Sequence, residues 1–232
     1  MPVQAFSKEL CPMFTFYTPS HVQLYNNYFL PSFYKAGLSD DFELSTTVFS
    51  QECPSANYMS AGWSNTVRHK IDLTLKMIES HWGKVIVYSD VDIQFFHTFV
   101  PTDYLGNYDI VFQRNEPKSN YACTGFYIFQ ANERVRGLFL KARGLVNPSA
   151  DDQAAINIAL GTRGESQKYT GEIAWGILPD SFFLPAFVIG ATEWYPHMKF
   201  VVPKNIILHH ANWTMGVGNK IKQLEYVKKQ LS

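Results

Sequence analysis

The sequence predicts an α/β protein with a mixed, mostly parallel sheet, and three observations support this fold class. Short apolar runs rich in β-branched and aromatic residues alternate with amphipathic segments of helical period. No internal repeat or Pro/Gly/Ser-rich linker divides the chain. A length of 232 residues is enough to bury a sizeable core. We therefore expect residues 1–232 to form a single domain in which helices cover the sheet.

The first half of the chain contains two predicted strands and one helix. Residues 13–18 (MFTFYT) form the first strand, because aromatic and β-branched side chains favour extended structure. In residues 66–82 apolar side chains recur every three or four positions, which predicts a helix with one core-facing side. Gly83 ends this helix. The run KVIVY at residues 84–88 then predicts a buried strand.

The rest of the chain repeats both patterns. Apolar runs predict further strands at residues 108–113, 125–130, 173–178 and 206–210. Helical periodicity predicts helices at residues 131–145, 151–160 and 218–231. Ser149 is the expected N-cap of the middle helix, and Gly161 is its expected end. Ligands of such sheets bind at the carboxyl ends of strands, so residues that follow strands are the candidates for function.

Composition excludes several classes of protein. Lys and Arg together number 20, as do Asp and Glu, so the formal charge is zero, which argues against a nucleic-acid partner. Aromatic residues make up 16% of the chain, which argues against disorder. Three widely spaced cysteines indicate reduced thiols, and the N-terminal segment lacks a secretory pattern, so we expect a cytoplasmic protein. No apolar stretch approaches the ~18 residues of a membrane span.

The strand at residues 84–88 runs directly into Asp90-Val91-Asp92. Two carboxylates two residues apart on an extended chain point to the same side, with Cα atoms ~6–7 Å apart. This spacing suits one Mg²⁺ or Mn²⁺ ion that also binds the phosphates of a substrate. The alternative interpretation is that both are solvated loop acids or helix caps.

The stretch GKVIVYSDVDIQFF resembles the Asp-x-Asp segment of the GT-A-fold nucleotide-diphospho-sugar glycosyltransferases. Further parts of that family's pattern stand in the same order, namely FTFYT, a helix with Arg68, FQRN…CTGFYIF, DDQAAIN, ILPDSFF and HHANWTMGVGNK. The resemblance extends roughly from Phe14 to Lys220. It implies one GT-A-like (Rossmann-like) domain, with a nucleotide-binding part at about residues 10–112 and an acceptor and sugar part at about 113–232.

The resemblance also implies a metal site. Asp92 would bind Mn²⁺, or Mg²⁺, directly, and Asp90 would contact the metal or the ribose. The cation would bridge the donor's two phosphates and neutralise the leaving nucleoside diphosphate. A late histidine completes the shell in similar enzymes. His209 and His210 would face opposite sides of a strand, so only one can reach the metal, and the H-x-N-W form favours His210.

Two segments would hold the nucleotide. Gly216, Gly218 and Lys220 resemble the family's glycine turn and the lysine that binds the diphosphate. The alternative is a helix start with a solvated lysine. At the tip of the first strand an aromatic side chain can stack on the base, although a core role competes there. The residues implied at this tip are Thr15, Phe16 and Tyr17.

The remaining implied donor contacts are scattered along the chain. Arg68 would fold back toward the pyrophosphate, unless it is a surface arginine. Gly125, which precedes a strand, suggests close approach of ligand or backbone. Val91 and Asn212 stand inside the two motifs that would surround the metal.

Asp152-Gln153, followed by Asn157, matches the Asp-Gln pair of retaining members of the superfamily. The resemblance makes Asp152 and Gln153 the residues nearest the sugar and its anomeric carbon. A structural role for Asp152 at a helix N-terminus is compatible with this assignment. No acid is an obvious base for an inverting reaction, although some remain open for that role. They are Glu116, Glu172 and Asp180.

The predicted function is metal-dependent transfer of a sugar from a nucleotide-diphosphate sugar, with UDP favoured as the nucleotide, to a hydroxyl of a glycan or glycoconjugate acceptor. Stereochemical retention follows from the Asp-Gln resemblance. Two alternatives stay open. One is a non-catalytic nucleotide-sugar-binding module. The other is an aspartyl phosphotransferase or phosphatase, whose motif normally continues with a hydroxyl residue, whereas Ile93 and Gln94 follow here.

Overall fold

The computed structural model describes residues 8–55, 57–58, 60–163 and 166–231. The strands are β1 (Cys11–Tyr17), β2 (Phe42–Val48), β3 (Val85–Ser89), β4 (Ile93–Phe95), β5 (Ile110–Arg114), β6 (Ala122–Gln130), β7 (Trp175–Ile177), β8 (Phe182–Phe183) and β9 (Leu208–His210). The helices are α1 (Val22–Leu24), α2 (Leu30–Lys35), α3 (Trp63–Ser80), α4 (Pro101–Leu105), α5 (Glu133–Leu145), α6 (Asp152–Leu160), α7 (Ala186–Ile189) and α8 (Val217–Leu231). A π-helical turn, Tyr25–Phe29, joins α1 to α2.

A six-stranded sheet in the order β2-β1-β3-β6-β5-β7 forms the centre of the fold. Its strands run parallel except β6, which is antiparallel to both β3 and β5. The predicted α/β class with a mixed, mostly parallel sheet is therefore confirmed. A smaller sheet, β4-β9-β8, pairs Ile93 with His210. This pairing brings the residues that follow β3 beside the end of β9.

The central sheet buries a hydrophobic cluster on each face. Successive side chains of β6 alternate between the two faces, as the pleat requires. Tyr127 and Phe129 pack in the cluster with α3, α5 and α6. Phe126 and Ile128 pack in the opposite cluster, beneath the helical segment 22–35 and α4. The sheet is thus covered on both faces, which leaves the carboxyl ends of its strands as the open edge.

Most predicted elements are confirmed within a few residues at their ends. The helix predicted at residues 66–82 is α3, and the buried strand predicted at 84–88 is β3. The N-cap of α6 is a correction, because the side chain of Asp151, and not that of Ser149, accepts from the Ala154 backbone N–H at 2.7 Å. Within the described ranges, none of the helices combines the length and hydropathy needed to span a bilayer.

Candidate functional site

Two aspartates and one histidine meet at the open edge of the sheet. Asp90 and Asp92 lie in the turn between β3 and β4, and His210 is the last residue of β9. One ligand atom from each of the three side chains lies within 4.8 Å of the others. Two carboxylates and an imidazole are ligands that Mn²⁺ accepts, and carboxylates also suit Mg²⁺. The donor set therefore fits a divalent cation that keeps open positions for substrate oxygens.

Neighbouring side chains fix the orientation of the His210 ring. The Gln113 side-chain amide donates from Nε2 to the Phe182 carbonyl at 3.0 Å, so its Oε1 faces His210 Nδ1 at 2.8 Å. Nδ1–H therefore donates to Gln113 Oε1, and Nε2 faces Asp92 Oδ1 at 3.3 Å. The other side of the ring packs on Gly125, where an added Cβ would lie 2.0 Å from His210 Cε1. Gly125 lies within β6 and not before it, and the group that approaches it closely is this imidazole side chain, whereas the expectation was a ligand or backbone.

The predicted alternation of the two histidines agrees with the structure. His209 is fully buried and its Nε2 lies 3.2 Å from Gln223 Oε1, on the side of the strand away from the aspartates. Burial lowers the pKa of His209 to about 3, so this ring is neutral. Of the two histidines, only His210 therefore lies beside the carboxylates.

Asp92 is the most strongly paired acid of the site. Its carboxylate accepts from Lys220 Nζ, which also donates to the Ala211 carbonyl at 3.1 Å. Burial alone would raise the pKa of Asp92, but Lys220 and His210 hold it well below its ordinary value. Burial would lower the pKa of His210, whereas Asp92 raises it to about 10. A cation binding here would compete with the Lys220 ammonium and with the proton on His210.

Lys70, on α3, connects the Asp-x-Asp turn to α6. It is only 7% exposed, and its Nζ lies 3.1 Å from Asp90 Oδ1, 2.9 Å from Asp152 Oδ2 and 3.3 Å from the Thr124 carbonyl oxygen. Burial alone would lower the pKa of Lys70, but Asp152 and Asp90 together raise it. A fixed positive charge therefore lies between the two acidic groups.

The start of α6 holds the Asp152-Gln153 pair against β6. Asp152 accepts from the Thr124 hydroxyl at 2.7 Å, and Gln153 Oε1 accepts from the Thr124 backbone N–H at 3.3 Å. Asn157, one turn later, bonds both backbone groups of Ala122, which ties α6 to the strand. Burial and the like charge of Asp152 raise the pKa of Asp151. The Asp-Gln pair is therefore rigidly mounted at the edge of the sheet.

These groups surround a single cavity of about 570 Å³. Its wall includes the end of β1, the Asp-x-Asp turn, the start of α6 and the start of α8. The predicted site residues that line it are Phe16, Tyr17, Asp90, Val91, Asp92, Gly125, Asp152, Gln153, His210, Asn212, Gly216 and Lys220. Sequence motifs far apart along the chain thus converge on one place.

Three predicted donor contacts lie outside the cavity wall. Thr15 is fully buried, on the face of β1 opposite that of Phe14 and Phe16, because side chains alternate along the strand. Arg68 turns away from the aspartates and donates to the Val146 carbonyl at 2.9 Å. Gly218 is the second residue of α8 and does not line the cavity. The cation of α3 that lies beside the aspartate Asp90 is Lys70, two residues after Arg68.

Sequence reasoning missed several residues of the wall. Asn115 and Trp213 stand inside the motifs FQRN and HHANW, so the motifs offered a signal that was not used. Lys70 lies within the apolar stripe of α3, which is a further signal that was not used. The others have no local pattern that marks them, and they include Thr18, His21, Tyr58, Trp63, Tyr121 and Arg163.

Solved structures share this fold at low sequence identity. A glycosyltransferase involved in glycosylation of the major capsid of PBCV-1 matches with a TM-score of 0.55 and 10% identity, over 94% of this chain and 100% of that chain. The glycosyltransferase GlyE of Streptococcus pneumoniae TIGR4 matches with a TM-score of 0.52 and 12% identity, over 95% and 60% of the two chains. These likenesses show the fold and confirm the predicted GT-A-like architecture.

A comparison with family models identifies the chain itself. The model of the nucleotide-diphospho-sugar transferases matches residues 45–224, which is more than half of the chain. The protein therefore belongs to the nucleotide-diphospho-sugar transferase family and is a glycosyltransferase, as the sequence motifs predicted. No curated relative matches the chain.

Proposed function

We propose that this protein transfers a sugar from a nucleotide-diphosphate sugar, with UDP the favoured nucleotide, to an acceptor hydroxyl in a metal-dependent reaction that retains the anomeric configuration. The single observation that supports this most is the convergence of Asp90, Asp92 and His210 with Lys220 on one side of the cavity. The Asp152-Gln153 pair lies on another side of the same cavity.

Asp90, Asp92 and His210 would hold Mn²⁺ or Mg²⁺. The bound cation would supply charge neutralisation for the departing nucleoside diphosphate. Lys220 adds a second positive charge at this end, and it is the ammonium that a cation would displace from Asp92. Gly216 and Lys220 also bring the N-terminus of α8 to the cavity, and a helix N-terminus favours a phosphate group. These features support a diphosphate site.

The end of β1 would receive the nucleoside. Phe16, Tyr17, Thr18 and His21 all line the cavity there. Aromatic faces stack on a base, while the hydroxyl and imidazole offer hydrogen bonds. Burial lowers the pKa of His21, so this ring would meet the nucleotide in its neutral form. We propose that about residues 10–112 form the nucleotide-binding part and about 113–232 the acceptor and sugar part, with His210, Gly216 and Lys220 of the second part adding contacts to the diphosphate.

Lys70, Asp152 and Gln153 would orient the donor sugar. In the proposed step the bond from C1 to the phosphate oxygen breaks, and its electron pair leaves with the nucleoside diphosphate. A bond from C1 to the acceptor oxygen forms on the same face of the sugar. The acceptor proton passes to the departing phosphate oxygen, so atoms and charge balance. Asp152 and Lys70 would stabilise the positive charge at C1 and the leaving group respectively.

The test is a nucleotide-release assay over UDP-, GDP-, dTDP- and CMP-sugars, with and without Mn²⁺ and without an acceptor. We expect slow Mn²⁺-dependent hydrolysis of one donor. The Asp92→Asn variant should lose at least about 100-fold of this rate while it keeps its folding, since one metal ligand and the Lys220 partner are weakened. Asp103→Asn, an exposed aspartate on α4, is the matched control and should retain the rate.

Several outcomes would contradict this function. Wild-type activity in Asp92→Asn would remove the metal assignment. No release from any donor, with no thermal shift by UDP or GDP plus Mn²⁺, would refute nucleotide-sugar transfer. A thermal shift without release would favour a non-catalytic binding module. An acyl-phosphate trapped on Asp90 would favour a phosphotransferase.

A further inference from the structure

Four aromatic side chains line the cavity without a role in the steps above. They form the aromatic belt, which is defined as Tyr58, Trp63, Tyr121 and Trp213. Tyr58 and Trp63 meet edge to face, with ring centroids 5.7 Å apart and an interplanar angle of 71°. Tyr58 is 55% exposed, so its ring is available to a ligand entering from solvent. The aromatic belt provides flat apolar surface in a part of the cavity wall that the proposed nucleotide contacts do not use.

Polar groups of Asp151 and Asn115 lie beside the members of the belt. Burial and the nearby carboxylate of Asp151, the N-cap of α6, raise the pKa of Tyr58 to about 12. The Asn115 backbone N–H donates to the Tyr121 carbonyl at 2.9 Å, and the Asn115 carbonyl accepts from Trp213 Nε1 at 3.1 Å. The belt therefore runs from Tyr58 past Asp151 and Asn115 to Trp213, and it alternates apolar faces with hydrogen-bonding groups.

Trp213 is held in a backbone conformation that favours glycine. Its φ is +55°, a value that side chains larger than Asn rarely adopt. The Asn212 side chain accepts from the Trp213 backbone N–H at 2.8 Å, and the Trp213 carbonyl accepts from the Trp194 N–H at 2.7 Å. Because the indole Nε1–H also donates a hydrogen bond, both the backbone and the side chain of Trp213 are held in place. Strained conformations that the surroundings enforce in this way cluster at ligand sites.

The belt lies next to the sugar end of the proposed donor site. Gln153 Nε2 donates to Asn115 Oδ1 at 3.2 Å, so the residue that binds the Trp213 indole also binds the Asp-Gln pair. Asp151 is adjacent in sequence to Asp152, and both residues line the cavity together with Tyr58. A group seated on the belt would therefore be near the anomeric carbon that Asp152 and Gln153 are proposed to serve.

We infer that the aromatic belt is the acceptor subsite, and that it takes a pyranose ring of a glycan. This inference rests on the proposed function. The C–H face of a pyranose is apolar and flat enough to stack on Tyr or Trp, while its edge carries hydroxyl groups. Asp151 and Asn115, which lie between the aromatic rings, provide the acceptors and donors for that edge. A lipid chain would leave these polar groups unpaired, at a high cost in binding.

The test measures the ratio of transfer to hydrolysis for the donor found above. The acceptor probes are methyl α- and β-glycosides of the common hexoses and their disaccharides, compared with N-acetyltyrosinamide and N-acetylserinamide. We expect transfer to a glycoside, and at least a tenfold lower transfer-to-hydrolysis ratio in Trp213→Ala and in Tyr58→Ala. Tyr58→Ala covers the case in which Trp213→Ala fails to fold. Trp82→Ala, which removes an exposed indole outside the cavity, should keep the ratio.

The possible results distinguish failure of the proposed function from failure of the acceptor-subsite inference. Absence of donor hydrolysis in the wild type would overturn the proposed function and the acceptor subsite with it. Hydrolysis that is not accompanied by transfer to any glycoside, or transfer to the amino-acid amides instead, would overturn the acceptor inference alone. The same conclusion would follow if Tyr58→Ala and Trp82→Ala gave equal ratios.

Discussion

Replacement of Lys70 by methionine tests the electrostatics of the site without any substrate. Methionine keeps most of the volume of the lysine stem and removes only the ammonium group. In the native chain that ammonium lies 3.1 Å from Asp90 and 2.9 Å from Asp152. Its removal leaves two poorly solvated carboxylates near one another with no cation between them. Removal of one partner of a buried ion pair lowers the free energy of unfolding by about 3–5 kcal/mol.

The size of the effect can be converted into a melting temperature. In a chain of this length 1 kcal/mol corresponds to about 2–4 °C, so Lys70→Met should melt roughly 10 °C below the wild type at pH 7.5. The assay is urea and thermal unfolding followed by circular dichroism, in buffer with chelator so that no cation replaces the lysine. Lys84→Met is the matched control, because Lys84 pairs with Glu9 at the surface, and we expect no measurable change.

The stability loss of Lys70→Met should depend on pH, because the carboxylates that lose their cation can be protonated. Burial already raises the pKa of Asp90 although Lys70 opposes the shift, so without Lys70 this pKa should rise further above that of the unfolded chain. Carboxyl groups with a raised folded-state pKa are tolerated below their unfolded pKa and become destabilising as pH rises through the folded value. The deficit of Lys70→Met should therefore be smaller at pH 5 than at pH 7.5. A loss that matches Lys84→Met, or one that is independent of pH, would refute the reasoning.

Two other substitutions test supporting contacts. Gln113→Leu removes the acceptor of the His210 Nδ1–H hydrogen bond, so the ring should be less well oriented for a cation. The Kd for Mn²⁺, measured by calorimetry, should rise about tenfold. An unchanged Kd would show that Gln113 does not support metal binding. Asp109→Asn weakens the hydrogen bonds to Arg134 and Asn132 and should cost about 1–3 kcal/mol at pH 7. Burial would raise the pKa of Asp109, but Arg134 lowers it overall, so this stabilisation is present above the unfolded pKa and is lost as pH falls through the folded value. Urea unfolding should therefore show the two proteins converging toward pH 3, and a constant difference would contradict the assignment.

The elements that could be predicted are those whose burial leaves a strong periodic pattern. The run at β3 is buried on both faces, and α3 has a continuous apolar stripe, so both were found. The strand β2 was missed because it has the mostly polar sequence FELSTTV and lies at the edge of the central sheet, beside β1. The helical segment 22–35 was missed because Asn26, Asn27 and Pro31 are typical of turns, and packing against the sheet stabilises it nevertheless.

The metal-binding candidates were predictable because each one follows a strand. Asp90 and Asp92 come after β3, where the carboxyl-end rule directs the search. Alternation of side chains allowed only one of His209 and His210 to reach the site, and the resemblance to the family's H-x-N-W motif favoured His210, the last residue of β9. Gly125 was recognised as a position of close approach, but its partner could not be named from sequence. That partner is a ring 85 positions away in the chain, and only the pairing of β4 with β9 brings it there.

The sequence of α3 contains a signal for the buried ion pair of Lys70. It lies between Val67 and Thr74 on the core-facing side of α3, and both of those residues are buried. Arg68 lies about 100° from Val67 around the helix, at the margin of that face, where its guanidinium reaches a loop carbonyl. Lysine is almost never fully buried unless it is paired. A lysine inside an apolar stripe therefore requires a carboxylate from elsewhere, and in an α/β sheet the open carboxyl edge is where Asp90 and Asp152 could supply one.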